Sequence, residues 1–248
     1  MMKKFKLLSY TFSILGLILT SCDPSVEAPG VLDASQVTYL PLITLSGDLN
    51  QVLDCNATSY TDPGAVASAG GSEIELFTDV SATYFGGSTI NGPDTYSISY
   101  SAYNSDGIAA SAFRSVFWPP CTGDLVTSIA GVYTTTALNR TPGYSTGDLG
   151  PILIRDMGNG VYGISDIIGG WYEYEYGYGS DYAAKGCTIK ANDIPSNNFT
   201  LNVTSSTLPW GGRVYLTKFT VDAATKTISM ETQWEGYSYV WKTTLTQM

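Results

Sequence analysis

Between Gly169 and Tyr182 the chain reads GGWYEYEYGYGSDY, with one Trp, five Tyr and two Glu among fourteen residues. Aromatic rings offer flat apolar surface to the C–H face of a pyranose, while phenol hydroxyls and carboxylates donate or accept at its rim. If the stretch is extended, its period of two puts Tyr172, Tyr174, Tyr176 and Tyr178 on one face and Trp171, Glu173 and Glu175 on the other. The four tyrosines would then span about 20 Å. Plain packing competes with this reading, because Tyr is a good strand former and an aromatic stripe is more often core than binding surface. Two features favour a ligand face. Phenols need hydrogen-bond partners when buried, and Gly169, Gly170, Gly177 and Gly179 bracket the run and allow close approach. Tyr182, Trp210 in LPWGG, and Trp234 with Tyr237 and Tyr239 in QWEGYSY add rings near expected turns. The candidate ligand-binding set is therefore Trp171, Tyr172, Tyr174, Tyr176, Tyr178, Tyr182, Trp210 and Trp234. A sticky loop is disfavoured by Glu173, Glu175 and Asp181 and by the glycines.

Other chemistry is narrower. The sequence contains no His, which removes Ser-His-Asp and Cys-His nucleophile systems and the commonest transition-metal ligand. Glu173 and Glu175 would lie about 7 Å apart on one strand, a spacing that inverting glycosidases use, but they would face the same side rather than flank a substrate. No catalytic residue, cofactor or metal site is expected. Asp156, Asn159, Asp166 and Asp181 lack the spacing of a calcium loop and read as turn residues.

The first twenty-two residues, MMKKFKLLSYTFSILGLILTSC, have a basic start and an apolar run from Leu7 to Leu19, too short to span a bilayer but suited to a secretory signal. Leu19-Thr20-Ser21-Cys22 resembles a lipobox, which implies cleavage before Cys22 and acylation of its thiol. The acidic CDPSVEAPG resembles the tether of Bacteroidetes lipoproteins displayed on the outer face of the outer membrane. Formal charge is −10, and all twenty-two acidic residues follow Cys22, so phosphate backbones are repelled and nucleic acid is an unfavourable partner. Of the later cysteines, Cys55 and Cys121 are the expected pair, flanking the first domain, with Cys187 left as a buried thiol.

With eighteen Tyr and twenty-six Gly, the chain points to strands and tight turns, an all-β protein. From Thr38 to Trp118, short alternating runs separated by turn residues suggest a sandwich. In DTYSISYSAYN, Tyr96, Ile98 and Tyr100 share one face, Ser97, Ser99 and Ser101 the other, and SDG at 105–107 turns the chain into the next strand. WPPC, Trp118 to Cys121, marks a boundary because tandem Pro cannot join a ladder. Eight or nine candidate strands follow, GWYEYEYGY among them, and the last three read as a meander.

YTDPGAVA at 60–67 and GPDTYSISYSAYNSDGIAASAFRSVF resemble the bacterial Ig-like module, in which Asp62, Pro63 and Gly64 form a tight turn. GVYGISDIIGGWYEYEYGYGSDYA and ISMETQWEGYSYVWKTTLT resemble the C-terminal lipocalin-like domain of Bacteroidetes lipoproteins, many linked to starch-utilisation-type glycan uptake. The resemblance implies an N-terminal Ig-like β-sandwich followed by an antiparallel β-barrel (lipocalin-like). The expected organisation is a signal peptide at 1–21, tether at 22–34, sandwich at 35–118, linker at 119–123 and barrel at 124–248. The implied role is non-enzymatic: an outer-membrane lipoprotein, lipid-anchored and facing the exterior, binding a neutral glycan for an uptake system. The alternative is a structural accessory whose aromatic face contacts a protein partner such as an outer-membrane transporter.

Overall fold

The structure is a computed structural model, and it describes residues 37–202 and 206–248; the lipidation expected at Cys22 and the tether lie outside the described residues. Seven strands come first: β1 Leu42–Leu45, β2 Asn50–Val52, β3 Ala65–Ala69, β4 Ser72–Glu73, β5 Leu76–Ala82, β6 Asp94–Tyr103 and β7 Ala109–Trp118. They form two sheets, β1-β3-β4 and β2-β7-β6-β5. Strand β6 alternates as the sequence suggests: Tyr96, Ile98 and Tyr100 are buried with Val116 and Trp118, while the intervening serines face outward. Asn104 fixes the β6–β7 turn, its Oδ1 accepting the N–H groups of Asp106 and Ile108. The two cysteines expected to pair, Cys55 and Cys121, form a disulfide, and Cys187 is a buried free thiol.

Asp62-Pro63-Gly64, expected as a tight turn, carries no turn and runs directly into β3. The Asp62 carboxylate accepts from the guanidinium of Arg114 and, at 2.6 Å, from the hydroxyl of Tyr100. Arg114 also donates to the carbonyls of Asp48 and Ser46. A fully buried guanidinium is thereby neutralised and hydrogen-bonded between the strands, the condition for a buried charge to be tolerated.

Ten strands follow: β8 Gly131–Thr141, β9 Tyr144–Thr146, β10 Leu149–Asp156, β11 Val161–Ile164, β12 Cys187–Asp193, β13 Asn198–Asn202, β14 Ser206–Thr207, β15 Arg213–Asp222, β16 Thr227–Trp234 and β17 Val240–Gln247. All pair antiparallel in the order β13-β12-β11-β10-β8-β17-β16-β15-β14, with β9 against β8. Strands β15, β16 and β17 are the expected meander. The sheet curls into a nearly closed barrel whose seam is bridged by side chains. Asn197 exchanges two hydrogen bonds with the backbone of Val221, at 2.6 and 3.1 Å, and Phe199 meets Phe219 edge to face. The protein is all-β, as the composition suggests.

The barrel's interior is filled. Ile129, Leu138, Ile152, Ile164, Ile228 and Trp241 are fully buried, and the connection from β11 to β12 folds over one end, adding Ile167, Ile168 and Trp171 to the same core. That connection also meets the N-terminal sheets: Tyr84, Leu153 and Ala183 form a small cluster with Phe85, Phe117 and Val132.

Candidate functional site

The connection between β11 and β12 contains GGWYEYEYGYG, and it is not a strand. Trp171–Glu175 is a π-helical turn, followed by a short 3-10 turn at Ser180–Tyr182. A row of rings along one extended face, the form in which the sequence suggested a ligand surface, is therefore absent. The cause lies just upstream. Asp166, read from sequence as a turn residue, is fully buried and accepts the N–H groups of Ile168, Gly170 and Ala184, each at 2.9 Å. Thr232 and Thr135 donate to the carbonyls of Ile167 and Gly169. Gly169 and Gly170 both take positive φ, +66° and +84°, and a Cβ at Gly169 would lie 2.5 Å from Thr243. Those two residues turn the chain before any strand can begin. The amides of Tyr174 and Glu175 then bond back to the carbonyl of Gly170.

Burial consequently follows a helical rather than an alternating rule. Adjacent Trp171 and Tyr172 both enter the core, which a strand would forbid. Glu173 is buried and Tyr174 half-buried, whereas Tyr176 and Tyr178 are 46% and 49% exposed. Glu173 and Glu175, which an extended strand would set on one face, take separate partners. The Tyr84 hydroxyl donates to Glu173 Oε1 at 2.5 Å, and Glu175 accepts from the hydroxyls of Tyr144 and Thr146 at 2.7 and 2.6 Å. Burial pushes the Glu173 carboxyl up to about 7, opposed by the Tyr84 hydrogen bond. Burial likewise raises Asp166 to about 6 against its three amide donors. Beside Glu173, a cavity of about 460 Å³ opens between Thr83, Tyr84, Phe117, Pro151 and Tyr174.

The candidate rings are brought together by a different route. The β14–β15 turn delivers Trp210, the β16–β17 hairpin delivers Trp234, Tyr237 and Tyr239, and the helical turns deliver the rest, all at one end of the barrel. Tyr172 lies 4.5 Å from Trp210 and 6.3 Å from Trp234 between ring centroids. Tyr178 and Tyr182 are 5.1 Å apart, as are Tyr182 and Trp210. Trp234, Trp171 and Tyr172 form a buried bed, and Tyr176, Tyr178, Trp210 and Tyr237 stand above it, each close to half exposed. Tyr174 departs from the set: its hydroxyl donates to the Pro151 carbonyl and meets that of Tyr84 at 3.3 Å, away from the exposed rings. Tyr144, Trp241 and Arg140 join the cluster without having been expected there. Tyr144 and Arg140 face each other across the short β8–β9 hairpin, and their ring partners Trp171 and Tyr239 come from distant parts of the chain.

Residues 122–247, just over half of the chain, match a family model described as a C-terminal domain, that of a lipoprotein family. The chain belongs to this family. It is also similar to the lipoprotein BT2262 from Bacteroides thetaiotaomicron, whose crystal structure aligns with a TM-score of 0.54 and 27% identity, covering 84% of this chain and 100% of that one. No curated protein matches. The likeness supports the lipoprotein reading of the N-terminal sequence.

Proposed function

We propose that the protein is a non-enzymatic lipoprotein of the outer membrane, facing outward, that binds an oligo- or polysaccharide as an accessory to a glycan uptake system. The reading rests on one observation: Tyr176, Tyr178, Trp210 and Tyr237 lie together, 44–49% exposed, on a bed of buried rings at one end of the barrel. Exposed rings held by packed neighbours form a preorganised stacking surface, so little side-chain entropy is lost on binding. The N-terminal sheets act as an Ig-like spacer in this scheme. Affinity electrophoresis and a glycan array test it. Retention by at least one glycan, lost in Tyr178→Ala/Trp210→Ala with an unchanged melting temperature, is the expected result; no binding by the folded wild type would reject it.

A second reading draws on the N-terminal sheets. Phe77, Tyr103 and Phe113 are 47%, 53% and 60% exposed on the outer face of β5, β6 and β7, a surface suited to a protein partner such as an outer-membrane transporter. Co-purification that fails only when these three are replaced by Ser would favour it.

A further inference from the structure

We infer that the saccharide held at the aromatic end carries a carboxylate, as a uronic acid does, and that Arg140 binds that group; the inference rests on the saccharide reading above. Arg140 is the penultimate residue of β8, opposite Trp241 of β17 and Tyr144 of β9. Its guanidinium carbon lies 4.6 Å from the ring centroid of Tyr239 and 5.1 Å from that of Trp171. The cation therefore lies over two aromatic rings.

Its donors are not taken up in the same way. Among the described residues the Arg140 guanidinium makes no ion pair and no hydrogen bond, and its buried Nε has no partner. Arg114 and Arg213, by contrast, are each joined to a carboxylate, Asp62 and Glu235. Arg155 lies over Phe85, where the sandwich meets the barrel. Glu175 is positioned by the hydroxyl of Tyr144, the register partner of Arg140, yet both its oxygens are engaged by Tyr144 and Thr146. That carboxylate forms no ion pair with Arg140.

A guanidinium presents a planar fork of N–H donors that matches a carboxylate bidentately. The geometry places it beside the exposed platform: Trp171 lies 5.6 Å from Tyr176, and Tyr239 lies 6.2 Å from Tyr237. A single ring separates Arg140 from Tyr176 and from Tyr237, so the carboxyl assigned to Arg140 is one borne by a sugar next to the stacked unit. The expectation of a neutral glycan considered only the rings and the acidic residues around them. The strong negative charge of the chain opposes this choice at long range, but at physiological ionic strength charges more than about 8 Å apart are largely screened. The local cation then decides.

The test is titration of the purified full-length protein with fragments of polygalacturonate, polymannuronate and glucuronate-containing polymers. Each is set beside its carboxyl-reduced, neutral counterpart, and a sulfated, uronate-free polymer is included. At least one acidic member should bind about tenfold or more tighter than its reduced form, the advantage shrinking as salt rises. Arg140→Gln should remove that difference, and Arg140→Lys should restore only part of it. Equal or tighter binding of the reduced form in every pair, or binding of the sulfated polymer alone, would overturn the role of the carboxylate while leaving a saccharide site in place. Binding of no glycan, acidic or neutral, would remove the saccharide reading as well. The wild-type comparison decides the matter even if the variants are poorly folded.

Discussion

Replacing Glu173 by Gln should change how stability depends on pH. The Glu173 side chain lies among Tyr84, Tyr174 and the π-helical turn, and burial lifts its carboxyl from an ordinary 4.5 to about 7. The folded protein therefore holds this proton more tightly than the unfolded chain. The resulting stabilisation is complete below pH 4.5, declines between 4.5 and 7, and is gone above that range. At about 1.4 kcal/mol per pH unit, the loss is about 3 kcal/mol. Gln fills the same space and its carbonyl can still accept from Tyr84, but it does not ionise. The stability of Glu173→Gln relative to wild type should thus rise by about 3 kcal/mol between pH 4.5 and pH 8, a relative gain of about 6–12 °C in melting temperature for a unit of this size. Asp166, lifted to about 6 by burial, works in the same direction, but it is present in both proteins and largely cancels in their difference. Urea unfolding at both pH values, followed by Trp fluorescence, measures it. A wild-type–variant difference that stays flat across this range would refute the claim that Glu173 carries an elevated proton affinity in the folded state.

Four further outcomes are expected. Trp241→Ala, at a fully buried ring in the barrel core, should cost about 3–5 kcal/mol in chemical denaturation, whereas Tyr178→Ala should cost under about 1 kcal/mol. Serine at both Cys55 and Cys121 should lower stability by about 4 kcal/mol, the loop-closure value for a separation of 66 residues, read from unfolding midpoints. Arg114→Met strands the Asp62 carboxylate and should destabilise by about 3–5 kcal/mol, an effect that Arg114→Met/Asp62→Leu largely reverses. Cys22→Ser should abolish metabolic labelling by a fatty-acid analogue.

Legibility in the sequence tracked the range of the forces at work. Tyr96, Ile98 and Tyr100 alternate with serines, so local periodicity alone oriented β6. The β15–β17 meander was readable for the same reason, from runs punctuated by DAAT and EG. The WYEYEY run also alternates, yet folds as a helical turn, because Asp166, Thr135 and Thr232 hold the preceding backbone from three directions. The adjacent pair Gly169-Gly170 was the available signal that extension would stop there. Trp171, Tyr172, Tyr176, Tyr178, Tyr182, Trp210 and Trp234 do gather at one end, but by hairpin and register contacts rather than by a shared strand face. Tyr174 turns toward Tyr84 instead. Arg140 and Tyr84 were missed because their partners lie 31 to 99 positions away in the chain.

Among the described residues, Ile167, Ile168 and Trp171 cap an interior packed with side chains, unlike the open cup of a vessel-type carrier. In the saccharide role proposed above, recognition would fall to an open ledge, and a ledge need not be threaded from a chain terminus. A long polymer could settle on it anywhere along its length and slide or re-dock without full release, so apparent affinity should grow with the number of repeats a single chain offers.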